Sequence, residues 1–106
     1  MKPMAQDLHG IEIPRSVVEG FCARNQIRKL SLFGSILTDR FRADSDVDVL
    51  VEFEPGTAVS YFDLVRMEME LSEVIGRKVD LRTPEELSRY FRDKVVASAA
   101  LQYERN

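Results

Sequence analysis

Apolar residues along the chain fall into short runs whose period changes, and a turn signal closes each run. Val17, Val18, Phe21 and Cys22 recur at three- and four-residue spacing. That predicts an amphipathic helix from Pro14, a residue suited to a first turn, to about Asn25. Arg28 to Phe33 reads as a strand with Leu30 and Leu32 on one face. Gly34-Ser35 ends it, and Ser35 can cap a short helix to about Phe41. After a polar turn over residues 42–45 the period drops to two. Val47, Val49, Val51 and Phe53 point one way, while Asp46, Asp48, Leu50 and Glu52 point the other.

Pro55-Gly56 marks a loop. Ser60 followed by Asp63 resembles a capping box, and the helix behind it carries Leu64, Met67, Leu71 and Val74 on one stripe. Gly76 is placed to end that helix. Lys78 to Arg82 predicts a third strand. Thr83-Pro84-Glu85-Glu86 predicts another capped start, and the remainder, through Val95, Val96, Ala99 and Leu101, reads as helical. Met1 to Glu12 reads as a loose leader. The expectation is one α/β or α+β domain over residues 1–106, a small three-stranded sheet flanked by helices. Whether the first two strands run parallel or antiparallel does not follow from the length of their connection.

Composition narrows the class. With 106 residues, 44% hydrophobic and 31% charged, the chain supports one modest core of an ordinary soluble protein. No apolar run approaches the roughly 20 residues needed to span a bilayer, so no membrane association is expected. The first ten residues lack a signal-peptide pattern. The single cysteine, Cys22, has no partner for a disulfide, so it reads as a buried thiol in a protein of the reducing cytoplasm. His9 has no Cys or His neighbour at ligand spacing and reads as a surface residue.

Charge changes the picture more. Residues 1–43 and 74–106 are each mildly basic, whereas residues 44–73 hold nine acidic groups against the single Arg66. Glu68, Glu70 and Glu73 are read as a solvated helix face. Asp44, Asp46 and Asp48 instead crowd the start of an apolar strand. The chain has no basic excess, so nucleic acid is not expected as a direct partner.

Residues two apart on a strand share a face, with Cα atoms about 6.6 Å apart. Asp46 and Asp48 can therefore lean together on two divalent ions, and Mg²⁺ suits such a pair because phosphate oxygens and water complete its octahedron. Upstream, Gly34 lets backbone approach a ligand closely, and Ser35 adds a hydroxyl donor. Either feature alone is usually a turn or a charged strand; their conjunction ten residues apart points to a phosphate cradle beside a metal pair. Asp80, a charge inside the apolar Lys78-Val79-Asp80-Leu81, can face the same metals or take a proton from an attacking hydroxyl.

The stretch Leu32-Phe33-Gly34-Ser35 … Asp44-Ser45-Asp46-Val47-Asp48-Val49-Leu50-Val51 resembles the Gly-Ser-x10-Asp-x-Asp signature of the DNA polymerase β-like nucleotidyltransferases, above all their minimal (MNT) branch. Gly76 to Leu81, Thr83-Pro84-Glu85, Tyr90 to Asp93 and Tyr103 to Arg105 are similar to that branch as well. The resemblance implies a mixed sheet in which Asp46, Asp48 and Asp80 bind two Mg²⁺. Gly34 and Ser35 would hold the triphosphate of ATP. It also implies an antitoxin that neutralises a HEPN-type toxin by transferring AMP to its tyrosine. Without an acceptor domain of its own, the chain is expected to act on such a partner. An antitoxin that works by binding alone is the competing reading, and the sequence leaves open whether the chain forms a homo-oligomer. Many relatives carry arginine shortly after the Gly-Ser pair, where this chain has Ile36, Leu37 and Thr38; Arg42, or else Arg40, is expected to supply that charge to the nucleotide.

Overall fold

The computed structural model describes residues 9–105. The elements run α1 (Arg15–Arg24), β1 (Ile27–Phe33), a 3₁₀ turn (Gly34–Leu37), β2 (Val47–Phe53), α2 (Tyr61–Ile75), β3 (Val79–Arg82), a second 3₁₀ turn (Pro84–Glu86), α3 (Arg92–Ser98) and β4 (Ala100–Glu104). The sheet is mixed and four-stranded, in the order β3-β2-β1-β4. β1 pairs antiparallel with both β2 and β4, and β2 pairs parallel with β3.

The alternation read in β2 is what builds the core. Val47, Val49 and Val51 are fully buried, and they join Leu30 and Leu32 of β1, Val79 and Leu81 of β3, Val18, Phe21 and Cys22 of α1, and Met67 and Leu71 of α2 in one apolar cluster. Burial drives the Cys22 thiol pKa up to about 12, so it is an inert core group as expected. Leu50 and its β1 partner Ser31 are also buried, but outside that cluster, on the face that carries Asp48.

α2 begins and ends as its sequence predicts. Ser60 Oγ accepts from the Asp63 N–H at 3.1 Å, and the Asp63 carboxylate accepts from the Ser60 N–H at 3.0 Å. Gly76, at φ 77°, closes the helix with its N–H on the Ser72 carbonyl. Two side chains of α2 then seal the outer edge of β3: Ser72 Oγ accepts from the Val79 N–H at 3.0 Å and Glu68 Oε2 from the Leu81 N–H at 2.8 Å. The opposite edge, β4, is blunted differently. Its register with β1 slips between Leu30 and Ser31, leaving Gln102 as an extra residue, and a bulge of that kind discourages further pairing.

Three expectations are corrected. The sheet has four strands because Ala100–Glu104, read as the end of a helix, pairs with β1; tertiary pairing overrides a weak local pattern there. The helix expected from Thr83 is a single 3₁₀ turn, although its capping box forms. Arg92 donates to the carbonyls of Pro84 at 2.7 Å and Leu87 at 3.1 Å, so acceptors that a continuing helix would have used are already occupied. Of the leader, residues 1–8 lie outside the described residues; from His9 onward the chain is docked, with Ile11 and Ile13 against the core and the His9 ring bonded to the Thr38 carbonyl. Among the described residues, no helix is long and apolar enough to cross a membrane.

Candidate active site

The parallel pairing of β2 with β3 settles where Asp80 goes. Asp48 and Asp80 stand in register across the two strands, so they project from one face of the sheet on backbones about 4.8 Å apart. Asp46 lies two residues before Asp48, immediately ahead of β2, where the Val47 N–H donates to the Lys78 carbonyl at 2.8 Å. The chain thus gathers three carboxylates from two elements. Their mutual effect is largest on Asp48, which is half-buried. Partial burial raises its carboxyl pKa above the usual value, the charges of Asp80 and Asp46 raise it further, and Arg82 offsets part of this.

On its other side, Asp48 pairs with Phe33 at the end of β1, and that register brings Gly34 against the Asp48 carboxylate. Gly34 sits at φ 77°, and a Cβ there would overlap Asp48 Oδ2 and lie 3.1 Å from its Cγ. Glycine is required twice over, by conformation and by space. Ser35 follows, half-buried. The short helix expected to reach Phe41 is only a four-residue 3₁₀ turn, so its dipole contributes little to anion binding. Beside the turn lies a cleft of about 690 Å³ lined by Phe33, Gly34, Ser35, Leu37, Thr38 and Arg40, with Val95 and Ser98 of α3 opposite.

Beside the three expected acids stand bases that the sequence reading did not place. Lys78 Nζ lies 3.8 Å from Asp46, and Arg82 pairs with Asp80 at 3.2 Å and with Glu86 at 3.7 Å. Arg77 braces the turn before β2: it donates to the carbonyls of Arg42 at 2.6 Å and Ser45 at 2.7 Å and stacks 4.5 Å over the Phe41 ring. The signal was present as basic residues flanking Asp80 at positions 77, 78 and 82. Arg42, expected at the nucleotide, is an exposed residue of that braced turn, its N–H donating to Ser45 Oγ at 2.9 Å; the arginine lining the cleft is Arg40. Asp44 is exposed in the same turn. Ile36 is fully buried in the core, which is why that position carries no arginine.

Among the described residues, no three acidic, histidine or cysteine side chains are already drawn together closely enough to hold a metal ion. Asp46 and Asp80 lean on Lys78 and Arg82 instead. The donor set nevertheless fits Mg²⁺, which takes one or two carboxylates and completes its shell from phosphate and water, and both ion pairs are exposed enough to be exchanged at little cost. At Gly34 the missing side chain leaves room for the Asp48 carboxylate itself. Such an arrangement can carry phosphoryl or nucleotidyl transfer.

Comparison with known proteins agrees. The nucleotidyltransferase domain family matches residues 14–102. A Methanocaldococcus jannaschii protein, named by inference as a protein adenylyltransferase, is 34% identical over 88 residues, covering 83% of this chain and 91% of that protein. A solved structure named by inference as a minimal nucleotidyltransferase superposes with a TM-score of 0.66 at 33% identity, over 80% of this chain and 85% of that one. A chain from the complex of a tri-AMPylated Shewanella oneidensis HEPN toxin with an MNT antitoxin shares the fold, with a TM-score of 0.60 at 16% identity over 85% of this chain and 69% of that one.

Proposed function

Because the chain belongs to the nucleotidyltransferase domain family, we propose that it transfers AMP from ATP to a tyrosine hydroxyl of a HEPN-type toxin, and so acts as that toxin's antitoxin. The observation that supports this most is the register of Asp48 with Asp80 across β2 and β3, with Asp46 two residues ahead and Gly34 against the Asp48 carboxylate. The adenylyltransferase name of the archaeal relative supports the reaction, and the HEPN–MNT complex supports the kind of partner.

Asp46 and Asp48, with Asp80, would hold two Mg²⁺ ions, whose chemistry is to offset the charge of the phosphates. Gly34 leaves room for the Asp48 carboxylate beside the turn, and Ser35 donates to the phosphate chain. The acceptor oxygen attacks the α-phosphorus in line; its bond to phosphorus forms as the bond to pyrophosphate breaks. Asp80 takes the hydroxyl proton, and its ion pair with Arg82 at 3.2 Å orients the carboxylate. The protein's main work is placement of groups rather than covalent chemistry.

The test is the intact mass of a HEPN toxin encoded beside this chain, after incubation with the chain, ATP and Mg²⁺. A gain of one or more AMP units, absent with Asp48→Asn, is the expected result. An unmodified toxin that is nonetheless bound and silenced would replace this reading with an antitoxin acting by binding alone.

A further inference from the structure

An in-line transfer needs room on two sides of the reacting phosphorus, since the acceptor enters opposite the departing pyrophosphate. The strand order β3-β2-β1 sets those sides apart. Gly34 and Ser35, at the end of β1, stand on one side of Asp48, and Asp80 of β3 stands on the other. That is two strand spacings, or about 10 Å across the sheet. With the triphosphate on the Gly-Ser side, the acceptor arrives over β3.

β3 is the outer strand, and a hollow of about 220 Å³ opens along its edge. Asp80, Leu81 and Arg82 line it on one side, and Tyr61, Val65 and Glu68 of α2 on the other. Tyr61 brings a second ring with it. Tyr61 and Phe62, the first two residues of α2, are 75% and 81% exposed, their rings edge to face at 6.1 Å. Neither side chain is needed to start the helix, which the Ser60–Asp63 box fixes, and among the described residues the Tyr61 hydroxyl has no hydrogen-bond partner. Two adjoining rings left in water beside a candidate catalytic group fit a contact surface and not a folding role.

Beyond Tyr61 the surface turns acidic. A second hollow of about 460 Å³ shares Leu64 and Glu86 with the first and adds Glu54 and Glu85. Among the described residues, no basic side chain lines it. Glu54 is paired with Arg105 and Glu86 with Arg82, whereas the exposed Glu85 carboxylate has no ion pair among the described residues.

We propose that Tyr61 and Phe62, with the acidic hollow at Glu85, form the docking surface for the acceptor polypeptide and seat its acceptor hydroxyl beside Asp80. This rests on the nucleotidyl-transfer reading above and adds what the partner must present. Its acceptor segment carries an apolar or aromatic group for the two rings and a lysine or arginine for Glu85.

The experiment is the rate of AMP transfer to the toxin encoded beside this chain, at saturating ATP and rising toxin concentration, with nucleotide-dependent Mn²⁺ binding measured on the same samples. Tyr61→Ser combined with Phe62→Ser is expected to raise the KM for the toxin about ten- to a hundredfold, the range of one or two lost aromatic anchors. The KM for ATP and the Mn²⁺ binding stay unchanged. Tyr61→Phe retains wild-type behaviour, because the ring and not the hydroxyl makes the contact. Glu85→Lys raises the toxin KM by a smaller factor that shrinks as salt is added. Met69→Ser, which removes an exposed apolar group farther along α2, changes neither KM. An unchanged toxin KM in the double variant overturns the assignment and leaves the transfer reading standing. An equal rise in the KM for ATP overturns it as well, since the rings would then serve the nucleotide. A dimeric wild type made monomeric by the double substitution, with transfer intact, gives the surface to a second copy instead. No transfer by the wild type removes the transfer reading, and this surface with it.

Discussion

Gly34 and Gly76 share a left-handed φ of 77°, and each turns the chain at the end of a regular element. Around Gly76, a Cβ would meet nothing within 4 Å. Around Gly34, it would run into the carboxylate of Asp48. Gly76 is needed only for the left-handed turn that ends α2. Gly34 is needed as well for the space its missing side chain leaves, which the Asp48 carboxylate occupies. The same φ thus serves a helix stop at one turn and the seating of a carboxylate at the other.

Substitution at these positions separates the roles. Gly34→Ala forces the Asp48 side chain away from its neighbours, and a displacement of about 1 Å at such a site costs about a hundredfold in transfer rate. Its left-handed strain adds about 1–2 kcal/mol of destabilisation, measurable by urea unfolding. Glu68→Ala comes next: it strips the Leu81 N–H of its partner beside Asp80 and costs about 1–3 kcal/mol, with Glu68→Gln recovering most of it. Gly76→Ala carries the strain alone, about 1 kcal/mol, with the transfer rate unchanged.

The smallest effect is in pH dependence. Asp48 has a raised carboxyl pKa in the folded chain, so between the ordinary and the raised value the unfolded state binds fewer protons than the folded one. Metal-free stability contributed by this group therefore falls as pH rises through that window. Asp63 works in the opposite sense: hydrogen bonds from the Ser60 backbone and then its side chain lower its pKa, and its contribution is lost as pH falls through the folded value. The difference in urea midpoint between wild type and Asp48→Asn, followed from pH 4 upward, isolates the first group; Asp48→Asn is expected to be slightly the more stable at neutral pH.

Where local chemistry dictates structure, the sequence was legible. The period-two run at Val47–Phe53, the Ser60–Asp63 box and the Gly76 stop are determined by side chains within a few residues. β4 was not legible, since Ala100–Glu104 has little alternation of its own and becomes a strand only because β1 offers it an edge. The stop after Glu86 was hidden for a similar reason: it depends on Arg92 reaching back to the carbonyls of Pro84 and Leu87. At the candidate site, the expectation placed on Asp46, Asp48 and Gly34 came from spacing. The cross-strand partner of Asp80 needed the parallel register of β3, and the fold alone shows that Arg40 and not Arg42 lines the cleft.

The central claim is that Asp46, Asp48 and Asp80, set against Gly34, form one site that takes divalent metal together with a nucleoside triphosphate. Electron paramagnetic resonance titration of Mn²⁺, with and without α,β-methylene-ATP, tests it most directly. The account predicts about two nucleotide-dependent ions per chain, lost in Asp48→Asn and in Gly34→Ala but retained in Gly76→Ala. Nucleotide-dependent Mn²⁺ binding that survives Asp48→Asn, or none in the wild type, would contradict it.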